Sequence, residues 1–100
     1  MAQEIPDGIV MEPVFIIEAT YGPDAIELRP SHRPAHLTRI AALRAAGVIL
    51  EAGAYPDMSG SLLLVRAADA DAALAIARDD VYMRGRLGGR ARPAVRAGGP

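Results

Sequence analysis

Apolar residues along the chain fall into segments with either strand-like or helix-like spacing. β-Branched and aromatic residues dominate residues 14–20, VFIIEAT, and the turn signal YGP follows, so we expect a buried strand there. Residues 48–54 and 61–67 are two further aliphatic runs. The short loop YPDMSG between them predicts an antiparallel hairpin.

The longest amphipathic segment predicts a helix that contains one of the two histidines. Ser31 is a suitable N-cap, Pro34 falls in the first turn, where no intrahelical bond is lost, and Gly47 is a suitable end. At 100° per residue, His36 lies on the apolar side of this helix. The residues expected beside it on that side are Leu37, Ile40 and Leu43, and those expected on the far side are Thr38, Ala42 and Ala45.

Two shorter helical segments are predicted, one before and one after the long helix. Residues 24–29 are expected to form one or two helical turns that Pro30 ends. A second amphipathic helix is predicted after the N-cap Asp69, over the sequence ADAALAIARD. Its inner stripe, at positions i, i+3, i+4 and i+7, consists of Ala70, Ala73, Leu74 and Ala77.

The two ends of the chain are less regular. Residues 1–13 contain two prolines and a glycine, so we expect an irregular lead-in. A last strand is predicted over residues 86–96, with a bulge or bend at the pair Gly88-Gly89, and residues 97–100 are expected to fray.

The resulting order β-α-β-β-α-β predicts an α+β, ferredoxin-like domain over residues 14–96, with two helices on one face of a four-stranded antiparallel sheet. Aliphatic side chains occur at both parities of the two middle strands. A monomer would therefore expose an apolar sheet face, and we expect a homodimer in which two sheets pack face to face.

Composition narrows the function classes. One hundred residues, 51% of them apolar, suffice for a single domain with a core, and the absence of cysteine excludes disulfides and a thiol nucleophile. The formal charge is −1, and the arginines near the carboxyl end are spread through a predicted strand with only Tyr82 among them, so no nucleic-acid partner is expected. The apolar runs, such as SLLLV, are too short for a membrane span, so we expect a cytoplasmic protein without a membrane partner.

His36 is the main chemical candidate. An imidazole can take up and release a proton near neutral pH, which suits general acid/base catalysis beside a carboxylate. The alternative is a histidine that packs at the edge of the core with its nitrogens satisfied. A metal site with His32 is not expected, because Arg33 stands where a metalloprotease motif has glutamate and no third ligand is evident. Phosphate-binding and dinucleotide-binding glycine motifs are absent, so no cofactor is expected.

Several sequence pieces, in this order and spacing, resemble the YCII-related (YciI-like) family of the dimeric α+β barrel group. They are RPAHL at 33–37, L..AG at 43–47, AGA before a loop with Pro56 and Asp57, GSLLLV at 60–65, the alanine-rich helix and DDVYMRG at 79–85. The resemblance covers residues 14–95 and implies a dimeric α+β barrel.

The resemblance also implies a catalytic pair. Family members carry a histidine in the first helix and an aspartate after the second helix, which correspond to His36 and Asp80. The family usually has proline directly after this aspartate, whereas this chain has Val81, which fixes the backbone less firmly. Asp79 is the alternative carboxylate, because it is adjacent.

Substrate-binding residues are predicted around this pair. Arg33 lies one helical turn before His36 and can bind an anionic group, although it can equally be an ordinary surface arginine. The other candidates, each of which has a plain packing role as its alternative, are Tyr55, Gly60, Ser61 and Tyr82.

The family resemblance implies the reaction class. It points to a cofactor-free lyase, dehydrochlorinase, isomerase or hydrolase that acts on a small cyclic or aromatic anionic compound. The alternative is a dimeric binding or accessory module that holds a small molecule without converting it.

Overall fold

A four-stranded antiparallel sheet, in the order β2-β3-β1-β4, forms the centre of the fold. The computed structural model describes residues 4–22, 25–79 and 88–98. The elements in chain order are β1 (Val10–Thr20), α1 (Ala25–Ala45), β2 (Ile49–Ala54), β3 (Gly60–Val65), α2 (Ala70–Arg78) and β4 (Gly88–Gly98). This order confirms the α+β, ferredoxin-like prediction.

Both helices contribute to one core on the same face of the sheet. The core is centred on Ile17 of β1, Val65 of β3 and Ile49 of β2. Ala73 and Ala77 of α2 are buried in the same cluster, as predicted, and their small side chains let α2 lie close to the strands, whereas Ala70 of the predicted stripe is exposed. The α1 side chains that pack against this core are Ile40 and Leu43. We call the other face of the sheet the open face.

The hydrogen-bond alternation explains how two prolines fit into long strands. The Tyr21 N–H donates to the Ser59 carbonyl at 2.8 Å, in register with the β1–β3 ladder, so odd-numbered β1 residues bond towards β3 and even-numbered ones towards β4. Pro13 and Pro93 are both odd-numbered and lie opposite Val95 and Phe15. Their missing N–H groups would face away from the β1–β4 ladder, so the ladder loses no bond.

β1 is longer than the sequence pattern predicted, and β4 continues two residues beyond its predicted end. β1 begins at Val10 instead of residue 14, and the expected frayed tail is wrong for Ala97 and Gly98, which pair with β1. The added residues at the start of β1 and at the end of β4 pair with each other. This pairing is long-range, so local composition does not reveal it. The remaining tail, residues 99–100, lies outside the described residues.

The predicted irregularity in β4 is also wrong. The β1–β4 register runs without a shift from Val10↔Gly98 to Thr20↔Gly88, so the glycine pair forms no bulge. The register shift occurs in β2 instead, between Ile49 and Glu51. The extra residue in β2 keeps Ile49 in the core and lets residues 51–54 pair with β3 in the register of the hairpin.

α1 is one continuous helix, so the predicted break at Pro30 and the N-cap at Ser31 are wrong. Pro30 and Pro34 are four residues apart and both exposed, so they lie on one outer side where freed carbonyls can bond water. The Thr38 hydroxyl also donates to the Pro34 carbonyl, at 2.9 Å. Leu37, predicted to be buried, is 48% exposed.

The predicted helix ends are confirmed at both sites with cap geometry. Gly47 has φ +76°, its N–H donates to the Arg44 carbonyl and the Val48 N–H donates to the Leu43 carbonyl, which together close α1 as a Schellman motif. The Asp69 carboxylate accepts the Ala72 N–H at 2.8 Å and caps α2. Neither helix, over its described residues, has the length and hydrophobicity needed to cross a membrane.

Candidate functional site

Three of the described candidates, Tyr55, Gly60 and Ser61, lie at one end of the sheet. Thr20, the last residue of β1, is paired on one side with Gly60 and on the other with Gly88, where β3 and β4 begin. α1 follows β1 in the chain, and α2 ends at Arg78 shortly before β4 begins. The amino-terminal part of α1 and the carboxyl end of α2 are thus connected to the same end of the sheet.

One row on the helix-facing side of the sheet, near this end, consists of small residues. This row of directly opposite residues crosses the four strands and consists of Ala54, Ser61, Ala19 and Gly89. We call it the small-residue row. Its residues share the side of Ile17 because residues directly opposite, and residues two apart, point to one face. The bulky core residues begin one row further along the sheet, at Ile17 and Leu63.

The α1 candidates lie over the helix-bearing face. His36 is half-buried, whereas His32, one turn earlier, is exposed. His36, Ile40 and Leu43 follow one another at spacings of four and three, so the imidazole belongs to the side of α1 that packs on the core. Arg33 is exposed and lies one turn before His36 on a neighbouring position.

The β2–β3 loop is held by its own hydrogen bonds. The Met58 N–H donates to the Tyr55 carbonyl and the Tyr55 N–H donates to the Gly60 carbonyl, both at 2.9 Å, and Met58 has φ +64°. The Asp57 carboxylate accepts the Ser59 N–H at 3.0 Å. Hydrogen bonds from the Ser59 hydroxyl and N–H lower the pKa of Asp57 below its ordinary value.

Gly60 has a structural reason to be glycine. A Cβ at this position would lie 2.1 Å from the Ala19 carbonyl oxygen, so only glycine lets β1 and β3 approach here. The alternation along the strands places Ser61 on the helix-bearing side, and Tyr55 and Gly60 on the other side. Of these three predicted binding residues, Ser61 is therefore separated from Tyr55 and Gly60 by the sheet.

Tyr21 is a residue near this site that the sequence pattern did not single out. It is half-buried, follows β1 directly, and continues the ladder opposite Ser59. The alternation puts it on the same side as Ala19 and Ser61. The sequence signal for it is an aromatic residue directly after a strand, and in the pattern YGP this residue is also part of a turn signal.

Two predicted site residues, Asp80 and Tyr82, lie outside the described residues. The last described residue before them is Asp79, the C-cap of α2, whose N–H donates to the Ala75 carbonyl. The pairing of His36 with an aspartate therefore remains a prediction.

The described part of the chain contains no group of three or more histidine, aspartate or glutamate side chains close enough to hold a metal ion. The nearest sequence candidates for such a group, His32 and His36, differ in their surroundings. One is exposed and the other is half-buried.

The comparisons with known proteins agree with this architecture. The sequence model of the YCII-related domain matches residues 14–96. One similar solved structure is 5-chloro-2-hydroxyhydroquinone dehydrochlorinase (TftG) from Burkholderia phenoliruptrix, in complex with 2,5-dihydroxybenzoquinone. It has a TM-score of 0.64 and 22% sequence identity, over 83% of this chain and 90% of that chain. A search of curated protein sequences found no significant match.

The fold is thus that of the α+β, ferredoxin-like proteins. Because the domain match covers most of the chain, the protein belongs to the YCII-related family. The structural match to TftG, at its level of identity, shows that the two chains share a fold.

Proposed function

We propose that this protein is a small-molecule enzyme in which His36 acts as general acid/base and Asp80 orients its ring. The reaction moves a proton to or from a small cyclic or aromatic anionic compound and is coupled to elimination, isomerisation or hydrolysis. A positioned acid/base group contributes about 10²- to 10⁴-fold to the rate of such a step. The family membership and the dehydrochlorinase among the similar structures support this class of reaction.

The observation that carries the proposal is the position of His36. Its ring lies half-buried on the sheet-facing side of α1, so it is accessible to a ligand and shielded from bulk water on one side. His32, on the same helix, is exposed and has no such position. A proton-transfer group requires this combination of access and fixed orientation.

The small-residue row supports a ring-shaped substrate. Ala19 and Ser61 occupy little volume on the helix-bearing side of the sheet, whereas one row further along the larger Ile17 and Leu63 belong to the core or pack against it. A flat compound beneath the helix would find the Ser61 hydroxyl as a hydrogen-bond partner. Arg33, one turn before His36, would bind its negative charge, as guanidinium groups bind carboxylates and phenolates.

The protein is further proposed to act as a homodimer through the open face. Ile16, Leu62 and Leu64 lie on this face at paired positions and are half-buried in one protomer. Two ion pairs border this apolar centre on its β4 side, between Glu18 and Arg92 and between Glu12 and Arg96. An apolar centre with a polar rim is the usual anatomy of a protein interface.

Chloride release from 5-chloro-2-hydroxyhydroquinone tests the enzymatic proposal directly. Dehydrochlorination removes HCl and turns the chlorinated hydroquinone into a quinone. Two hydroxyl groups become carbonyls, one of their hydrogens moves to the carbon that bore chlorine, the other is released as a proton, and chloride leaves with the electron pair of the C–Cl bond. The wild-type protein is expected to release chloride above the rate in buffer. H36Q is expected to lose activity by about 10²-fold or more.

The matched control is H32Q, which makes the same substitution on the exposed histidine of the same helix. It is expected to retain wild-type activity. Equal rates for wild type and H36Q would exclude the acid/base role of His36. Binding of 2,5-dihydroxybenzoquinone without turnover of chlorinated hydroquinones, phenolic acids or lactones would favour the binding-module alternative.

A further inference from the structure

One row of residues on the open face carries opposite charges at its two ends. Its members lie directly opposite one another across β2, β3, β1 and β4, and they are Glu51, Leu64, Ile16 and Arg92. We call it the charged row. Directly opposite residues point to one side of a sheet, so the whole row shares the open face with Ile16. An acid therefore lies at the β2 edge of this face, a base lies at the β4 edge, and aliphatic side chains lie between them.

Both charged ends of the row are exposed in one protomer. The Glu51 side chain is 69% exposed, and its contact with Arg44, at 3.9 Å, is a long one for an ion pair. The Arg92 side chain is 58% exposed although it pairs with Glu18. A guanidinium group has several N–H donors, so Arg92 can bind a second carboxylate. Within one protomer, the two strands between Glu51 and Arg92 keep their backbones roughly 14 Å apart.

Two open faces can pack with a two-fold axis that runs either along the strands or across them. An axis along the strands reverses the strand order of the partner, so β2 faces the partner's β4 and β3 faces the partner's β1. Rotation about this axis leaves the level of each row along the strands unchanged. Glu51 then faces the partner's Arg92. Between these ends, Leu64 faces the partner's Ile16, and every contact occurs twice.

An axis across the strands brings like charges together instead. It places β4 on the partner's β4 and β2 on the partner's β2. The described β4 side chains on the open face are Arg92, Ala94 and Arg96, and none of them is acidic. Glu51 is the single charged residue of β2, so it finds no base on the partner's β2. Facing surfaces of like charge oppose association, which favours the axis along the strands.

We propose that the two-fold axis of the homodimer runs along the strands and that Glu51 of each protomer pairs with the partner's Arg92. The contacts of Leu64 with the partner's Ile16 lie between these two ion pairs. The charged row is self-complementary, as a two-fold contact between identical surfaces requires. This inference deepens the proposed homodimer and rests on it, and it does not depend on the catalytic role of His36.

A charge swap between Glu51 and Arg92 tests the pairing, with the dimer Kd measured by sedimentation equilibrium over a dilution series. E51R and R92E each place like charges together at both ends of the interface. Each single variant is therefore expected to raise Kd by about tenfold or more. The double variant E51R/R92E restores opposite charges and is expected to return Kd to within about threefold of the wild-type value.

The recovery in the double variant separates the contact between protomers from local effects. R92E also places an acid beside Glu18, and E51R places a base beside Arg44, but neither change repairs the other within one protomer. The control E27R reverses an exposed charge on α1, away from the open face, and should leave Kd unchanged. Circular dichroism and the thermal midpoint establish that each variant is folded.

Each other outcome of the series would overturn part of the account. Single variants with wild-type Kd, or a double variant whose Kd rises by the product of the two single effects, would overturn the pairing and leave the homodimer standing. R92Q is expected to raise Kd, whereas a lowered Kd would show that arginines face arginines across the other axis. A wild-type protein that is monomeric throughout the series would overturn the homodimer and the pairing together. None of these results affects the chloride-release test of His36.

Discussion

Ala19 and Ser61 lie directly opposite each other on β1 and β3, on the side of the sheet that carries both helices. Ala19 is 8% exposed and Ser61 is half-buried. The next residues along the same side, Ile17 and Leu63, have much larger side chains, so β1 and β3 change from bulky to small residues between two adjacent rows. This change is the basis for placing a ligand over the small-residue row.

Enlarging Ser61 should exclude a ligand from this position. S61L is expected to abolish binding of 2,5-dihydroxybenzoquinone, because the added side chain covers the small-residue row. S61A keeps the space and loses one hydrogen bond, so binding should weaken by roughly fivefold, or ~1 kcal/mol. Titration calorimetry measures ligand binding by S61L and S61A. A42L, which adds a leucine on the exposed side of α1, is the control. Unchanged binding in S61L would place the ligand elsewhere.

Gly60 should be intolerant of any side chain. G60A is expected to destabilise the protein by about 1–3 kcal/mol, because the new Cβ would collide with the Ala19 carbonyl and push β1 from β3. G53A, on the neighbouring strand, meets no atom within 4 Å and should be neutral or stabilising by up to about 1 kcal/mol. Urea denaturation of the two variants compares them, and equal stability would argue against the close approach of the strands.

Arg66 should link three parts of the fold. Its guanidinium donates to the Glu12 carboxylate with two nitrogens, at 3.0 and 3.2 Å, and to the Gly47 carbonyl at 3.2 Å. We expect a coupling of about 0.5–1 kcal/mol between Arg66 and Glu12, reduced by solvent because both side chains are partly exposed.

A double-mutant cycle with E12Q and R66M measures this coupling. The pair Arg44–Glu51, at 3.9 Å with both side chains more than half exposed, is the control and should give a coupling near zero. Similar values for the two pairs would show that the contacts of Arg66 add nothing beyond a surface ion pair.

The carboxyl group of Asp57 should titrate at a lower pH than an ordinary aspartate. Hydrogen bonds from Ser59 favour its charged form and lower its pKa in the folded protein. This interaction therefore stabilises the β2–β3 loop above the pKa of the unfolded chain and is lost as the pH falls through the folded value. NMR titration of the Asp57 carboxyl carbon measures the shift, and S59G should bring it closer to the ordinary value of 3.8.

Much of the fold was predictable because its signals are local. The N-cap Asp69, the αL residue Gly47 and the alanine stripe of α2 are each specified by residues within one or two turns. The hairpin of β2 and β3 was likewise evident from two aliphatic runs around a short loop.

The errors concern features that depend on distant partners. Val10 extends β1 because Gly98 lies opposite it, 88 positions away in the chain. Pro30 was expected to end a helix because local propensity cannot tell that its side of α1 is exposed.

The candidate site was only partly predictable for the same reason. His36 stood out as an imidazole on an apolar helix side, but the separation of Tyr55 from Ser61 required the strand register, and Tyr21 required the pairing with Ser59.

The imidazole signals of the two histidines, followed by NMR during a titration with 2,5-dihydroxybenzoquinone, test the central claim most directly. Because the chain has only two histidines, each ring gives an assignable signal, and H32Q and H36Q provide the assignments. The account predicts a saturable shift of the His36 signal and an unchanged His32 signal. Saturable binding that shifts His32, or that leaves the His36 ring unaffected, would contradict it.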